Sequence, residues 1–197
     1  MTETRLAIND VSVEFTGLRA LDHVSLTVET GEVVGLIGPN GSGKTTLINA
    51  ITGQVKLATG TITAGDTVLS GLKPRQIALA GVSRSFQIVR LFNAMTVLEN
   101  VEAGALAAEP RFLLLDEPAA GMNDAETETL LHTLSELPAK RGLGLLIIDH
   151  DMGLIMRLCH RLHVLASGRT IAEGDAAHVR SHPAVIEAYL GKGAAHA

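Results

Sequence analysis

Short continuous apolar runs alternate along this chain with segments whose apolar residues recur at helical spacing. Val33-Val34-Gly35-Leu36-Ile37, Phe112-Leu113-Leu114-Leu115 and Leu145-Leu146-Ile147-Ile148 are runs of strand length with no polar face, as expected of strands buried in a layered fold. Strand character is read over residues 6–15, 23–28, 33–37, 61–62 with 67–69, 82–86, 111–115, 145–149 and 162–166. Helical character is read over 44–52, 74–80, 124–137, 152–159 and 183–190. Thr96 and Glu99 form a capping-box pair that starts one more helix, running to about residue 107 until Pro110 stops it. Apolar strands followed by helices predict an α/β fold, a mainly parallel sheet flanked by helices. The first stretch, alternating and turn-rich, predicts an antiparallel β flank.

The first of those apolar runs leads directly into Gly38-Pro39-Asn40-Gly41-Ser42-Gly43-Lys44-Thr45-Thr46, which contains the pattern G-x-x-x-x-G-K-[ST] between a strand and a helix. Glycines let the backbone curl until successive N–H groups point into one concavity, and the helix N-terminus adds partial positive charge there. Lys44 can reach the β- and γ-phosphates and the Thr45 hydroxyl can ligate Mg²⁺. The segment predicts binding of a nucleoside triphosphate.

A second run ends in Asp116-Glu117 before Pro118, and a third in Asp149-His150. Asp116 suits Mg²⁺, directly or through water, and Glu117 suits a general base on attacking water. His150, at the carboxyl edge of a parallel sheet, faces the ligand crevice and can bond the γ-phosphate. Asp151 is read as the cap of the next helix. Gln87, after the strand at 82–86, can offer a neutral oxygen to Mg²⁺ or water. Two alternatives stay weaker. A P-loop kinase or GTPase suits Glu117 and His150 less well than water activation does, and a GTPase needs an N-K-x-D element that is missing. Cys159, His160 and His163 lie close together, but the plain reading is a helix end and the next strand.

Composition narrows the partners. A length of 197 residues supports one domain with a sizeable core. Sixteen Lys and Arg stand against 21 Asp and Glu, a formal charge of -5, without the basic excess of a nucleic-acid footprint. The longest apolar stretches fall well short of a membrane span. One cysteine excludes an internal disulfide and fits a reducing compartment, and with no signal-peptide pattern the cytoplasm is expected.

Taken in order, these motifs resemble the ATP-binding subunits of ABC transporters. Gly38 to Thr45 resembles the Walker A motif, residues 112–116 the Walker B motif, Glu117 the catalytic glutamate, Gln87 the Q-loop and His150 the switch histidine. Phe15 stands where the family places an aromatic ring against adenine, so the resemblance implies ATP with Mg²⁺. Ala119-Ala120-Gly121-Met122-Asn123 resembles the D-loop in the wording of branched-chain amino acid and urea importers, and residues 89–100 and 183–191 point to the same subgroup. The likeness implies a P-loop NTPase fold, ATP hydrolysis, membrane permease subunits as partners, a second ATPase subunit packed head to tail, and a place on the inner face of the cell membrane.

One part of the family pattern is missing. Between Gln87 and Asp116 the family carries a helical subdomain ending in an L-S-G-G-Q-like signature, and neither is found here. About thirty positions are too few for several helices at 1.5 Å rise per residue. Leu69-Ser70-Gly71 precedes Gln87 and reads as a loop, while residues 102–110 look like a fusion of the entering and leaving helices. The expectation is one nucleotide-binding domain over 1–197, with a deletion near 102–109. Such a chain binds Mg-ATP as a monomer, hydrolyses it poorly and does not close into an ATP sandwich; a nucleotide-binding module without turnover is the alternative.

Overall fold

The computed structural model describes residues 4–85 and 110–190. Strands β1 (Arg5–Phe15) and β2 (Leu18–Glu29) form a hairpin through Thr16 and Gly17, both at positive φ, the backbone twist that a two-residue hairpin turn requires. With β4 (Thr59–Ala64) and β5 (Thr67–Val68) they make an antiparallel sheet in the order β2-β1-β4-β5, the flank expected from the alternating pattern.

A six-stranded sheet forms the centre. Its strands are β3 (Val33–Ile37), β6 (Val82–Ser85), β7 (Phe112–Asp116), β8 (Gly144–Ile148), β9 (Arg161–Ala166) and β10 (Arg169–Gly174), in the order β10-β9-β3-β8-β7-β6. All pairs are parallel except β9 with β10. Alternate residues divide the core in two. Val34, Leu36, Leu114 and Leu146 pack toward the antiparallel sheet and helix α1 (Lys44–Ile51). Val33, Ile37, Leu113, Leu115, Leu145 and Ile147 pack toward helices α3 (Asp124–Arg141) and α4 (Met152–Leu158). Side chains on a strand alternate between faces, so a strand covered on both sides is apolar throughout.

Helix α2 (Pro74–Leu79) begins with Pro74 at its first turn, as proline's fixed φ favours. Helices α5 (Ala176–Ser181) and α6 (Pro183–Leu190) close the described chain. Ser70 accepts a hydrogen bond from Ile62 N–H at 2.7 Å, so Leu69-Ser70-Gly71 is the expected loop. Three features differ from the sequence reading. Strand β10 and helix α5 were not expected: β10 is mixed in polarity and only six residues long, and α5 buries one residue, Val179. Helix α3 runs past Leu137 through Pro138 to Gly142, whose left-handed backbone lets its N–H reach Pro138 O at 2.9 Å. The helix expected from Thr96, the segment at 102–109, Phe86 and Gln87 lie outside the described residues. Among the described residues no helix is long and apolar enough to cross a membrane.

Candidate nucleotide site

The phosphate loop leaves β3 and is shaped by contacts that only glycine permits. Gly38, Gly41 and Gly43 all have positive φ, backbone that L side chains rarely adopt. A Cβ on Gly38 would stand 2.0 Å from Leu165 O, and one on Gly43 2.9 Å from Ala20 O. The loop is therefore pressed between the end of β9 and the β1–β2 hairpin. Ser42 O accepts from Gly168 N–H at 3.0 Å, so the β9–β10 turn braces it as well. That support comes from the unexpected hairpin.

Within the loop, Lys44 lies folded back. Its Nζ donates to Gly38 O at 2.7 Å and Pro39 O at 3.1 Å. Partial burial lowers the Lys44 pKa, and the charges of Glu117 and Asp116 oppose that shift, so both carboxylates act on this ammonium. The Ser42 hydroxyl is buried with no hydrogen-bond partner among the described residues. A buried donor left this way is costly unless something completes it. Thr45 and Thr46 open α1. Phe15 ends β1 and is 44% exposed, on the hairpin whose Ala20 and Leu21 lie against Gly43.

The two acids sit where β7 ends. Asp116 pairs with Ile148 across β8 and accepts from Arg84 Nη2 at 2.6 Å. The same guanidinium donates through Nη1 to Asn49 Oδ1 at 2.7 Å. Asn49 stands one turn beyond Thr45 on α1, so the two share a helix face. Arg84 thus ties the Thr45 face of α1 to the carboxyl end of β7. Oxygen donors from a hydroxyl and a carboxylate brought to one edge fit a hard divalent cation such as Mg²⁺. Sequence reasoning missed Arg84 and Asn49, because a basic residue on the edge strand β6 and an amide on α1 carry no motif of their own.

Glu117 follows with φ 51°, and its N–H donates to Ile148 O at 2.7 Å. A left-handed glutamate is uncommon, and such residues gather at functional sites. This turn carries Glu117 out of the strand's alternation, leaving its side chain 43% exposed. His150 Nδ1 lies 4.0 Å from Glu117 Oε1 and 3.7 Å from Asp149 Oδ1. Asp149 itself is buried. It accepts from Ala119 N–H at 3.3 Å and Asp151 N–H at 2.9 Å, holding the start of the 119–123 loop to the start of α4. Asp151 caps α4 as expected, accepting from Gly153 and Leu154 N–H. Met122 packs on the core and Gly121 turns the loop with φ 77°.

The cysteine and two histidines divide among separate structural roles. Burial pushes the Cys159 thiol up to about 12. His160 Nδ1 accepts from Val33 N–H at 2.9 Å, and His163 lies buried between Thr170 and Glu173. The C-terminal helix also reaches the loop: burial raises the Tyr189 phenol, and a hydrogen bond with the Gly38 backbone draws it back.

Comparison with known proteins agrees with this geometry. The ABC transporter family profile matches residues 21–105, and the profile of branched-chain amino acid ATP-binding cassette transporters matches residues 169–195. The high-affinity branched-chain amino acid transport ATP-binding protein LivG of Salmonella typhimurium is 35% identical, over 98% of this chain and 100% of its own. LivG of Escherichia coli K12 is 34% identical at the same coverage. The first alignment runs over 254 positions against a chain of 197, so many positions of the relative have no counterpart here. Among solved structures, the ADP conformation of an ATP-binding cassette of an ABC transporter has a TM-score of 0.84 and 28% identity, over 98% of this chain and 100% of that one. A nucleotide-free cassette from an ABC transporter has a TM-score of 0.83 and 25% identity, over 96% and 100%. Identity at this level along nearly all of both chains, on the same parallel-sheet fold, makes this chain an ABC transporter ATP-binding subunit of the branched-chain amino acid importer family.

Proposed function

We propose that this chain binds Mg²⁺–ATP as a monomer on the inner face of the cell membrane, as part of an importer for branched-chain amino acids or a related small polar solute. The observation that carries the reading is the phosphate loop: a curled run of amides, an unpartnered Ser42 hydroxyl, and Lys44 resting on its own loop's carbonyls. On this reading Lys44 exchanges those carbonyls for the β- and γ-phosphates, a stronger charge-assisted contact. Backbone N–H groups of residues 40–46 take the remaining phosphate oxygens, Pro39 having none to give, and Phe15 lends its exposed face to adenine. Thr45, Asp116 and Gln87 would hold Mg²⁺, which supplies neutralisation of phosphate charge. Glu117 takes the proton from the attacking water and His150 bonds the γ-phosphate.

The same reading holds turnover to be weak. What supports it is the length of the relatives' alignment against this chain and the short interval between Gln87 and Asp116. In the family's head-to-tail dimer a signature loop from the opposite subunit closes over each ATP. Each charge-assisted bond lost with it is worth roughly 1.5–3 kcal/mol. A nucleotide-binding module without turnover is the second reading, favoured by the same interval. Calorimetry with Mg²⁺–ATP, followed by steady-state ATPase assays alone and with a permease, tests both. Binding with slow turnover supports the proposal, binding with none supports the module, and no heat of association in a folded sample refutes both.

A further inference from the structure

The cation partner of Asp116 stands apart from the assigned roles. Arg84 is registered opposite Leu114 on β7, and Asp116 is two residues further along the same strand face. The guanidinium runs along that face, with side-chain exposures of 9% for Arg84 and 18% for Asp116. It meets Asp116 end-on: Nη2 takes Oδ2 while Nη1 is spent on Asn49. Asp116 Oδ1 keeps no hydrogen bond among the described residues. A merely structural pair would serve as well on any carboxylate in this layer, but this one engages the acid that borders the phosphate loop. Arginine does not give up its proton in proteins. The charge beside Asp116 is therefore permanent.

We infer that Arg84 is the resident counter-cation of Asp116, and that it keeps divalent cations off the site until nucleotide brings one in. The inference rests on Asp116 being the metal carboxylate. With Arg84 in place one of the two negative charges of Asp116 and Glu117 is offset before any cation arrives, in addition to the Lys44 ammonium that both acids already feel, so together they make a poor empty-state trap for Mg²⁺. Once the triphosphate adds its negative charge the balance would reverse, and Asp116 would help to hold a cation delivered with the phosphates. Arg84 also adds attraction for the metal-free triphosphate itself. Loading then proceeds as the metal–nucleotide complex rather than metal first. Asn49, bonded to the other side of the guanidinium, fixes its direction and links this charge to α1.

The test measures binding rather than turnover. Mn²⁺ binding without nucleotide, followed by electron paramagnetic resonance, is compared in the unaltered chain, Arg84→Gln and Arg84→Lys, with ATP affinity in EDTA measured in parallel. Arg84→Gln is expected to tighten Mn²⁺ about tenfold and weaken metal-free ATP by a similar factor, the scale of one removed unit charge in a partly screened site. Arg84→Lys keeps the charge but not the bridge to Asn49; it should melt lower yet bind Mn²⁺ as the unaltered chain does. Mn²⁺ affinity in Arg84→Gln within twofold of the unaltered chain overturns the inference, as does Arg84→Lys behaving like Arg84→Gln. Should Arg84→Gln not fold, tight Mn²⁺ binding by the unaltered chain without nucleotide overturns it directly, and absence of such binding supports it. Asp116→Asn separates the underlying assignment. If it leaves Mn²⁺–ATP affinity unchanged, the metal is not at Asp116, whereas a loss there with no effect of Arg84→Gln sinks only the role of Arg84.

Discussion

At the residue scale, the site depends on a few side chains held where their chemistry is unusual. Lys44 spends its ammonium on two loop carbonyls and feels Glu117 and Asp116. Lys44→Ala is expected to abolish measurable ATP binding by calorimetry, and unchanged affinity would remove the loop from the account. Glu117 reaches its position through a left-handed backbone, which the Gln side chain can keep. Glu117→Gln should therefore bind ATP normally while any hydrolysis falls about 10²–10⁴-fold, the range for a positioned base. Cys159 gives a chemical control. Its thiol, pushed up to about 12 by burial, carries almost no thiolate near neutrality. Iodoacetamide should leave it unmodified in the folded chain and label it rapidly in denaturant; quick labelling of the native protein would mean that α4 opens.

At the element scale, loop and helix ends decide the geometry. Gly38 cannot accept a side chain, because its Cβ would enter Leu165 O and its φ is 147°. Gly38→Ala should move the loop off the β9–β10 turn, lowering ATP affinity and costing about 1–3 kcal/mol of stability in chemical denaturation. Helix α3 is started by a reciprocal pair: Asn123 Oδ1 accepts from Glu126 N–H at 3.0 Å, and Glu126 Oε2 accepts from Asn123 N–H at 2.9 Å. Asn123→Ala breaks one half of it, an expected loss of about 1 kcal/mol. It leaves the loop and its Lys44 contacts alone, so nucleotide affinity should hold.

At the scale of the whole molecule, the central sheet brings chain segments far apart in sequence to one carboxyl edge. Loop 38–46 follows β3, Asp116 and Glu117 follow β7, and His150 follows β8, with β8 lying between the other two strands. That order is why His150 comes within 4.0 Å of Glu117. Assembly is tested at the same scale. Size-exclusion chromatography of Glu117→Gln with ATP is expected to give a monomer; a robust nucleotide-dependent dimer would refute the monomeric reading.

What the sequence determined by itself was local. The glycine spacing of residues 38–45, the apolar runs that must be buried on two faces, the acids and histidine at the ends of such runs, and the cap at Asp151 are all set by neighbours in the chain. Tertiary structure decided the rest. The pairing of Arg84 with Asp116 and Asn49, the bracing of the loop by Gly168, and the reach of Tyr189 to Gly38 join residues with no shared periodicity. Strand β10 was illegible for the same reason: its place is fixed by antiparallel pairing with β9 rather than by an apolar pattern of its own. Contacts between distant segments come from strand order and packing, which no stretch of sequence states alone.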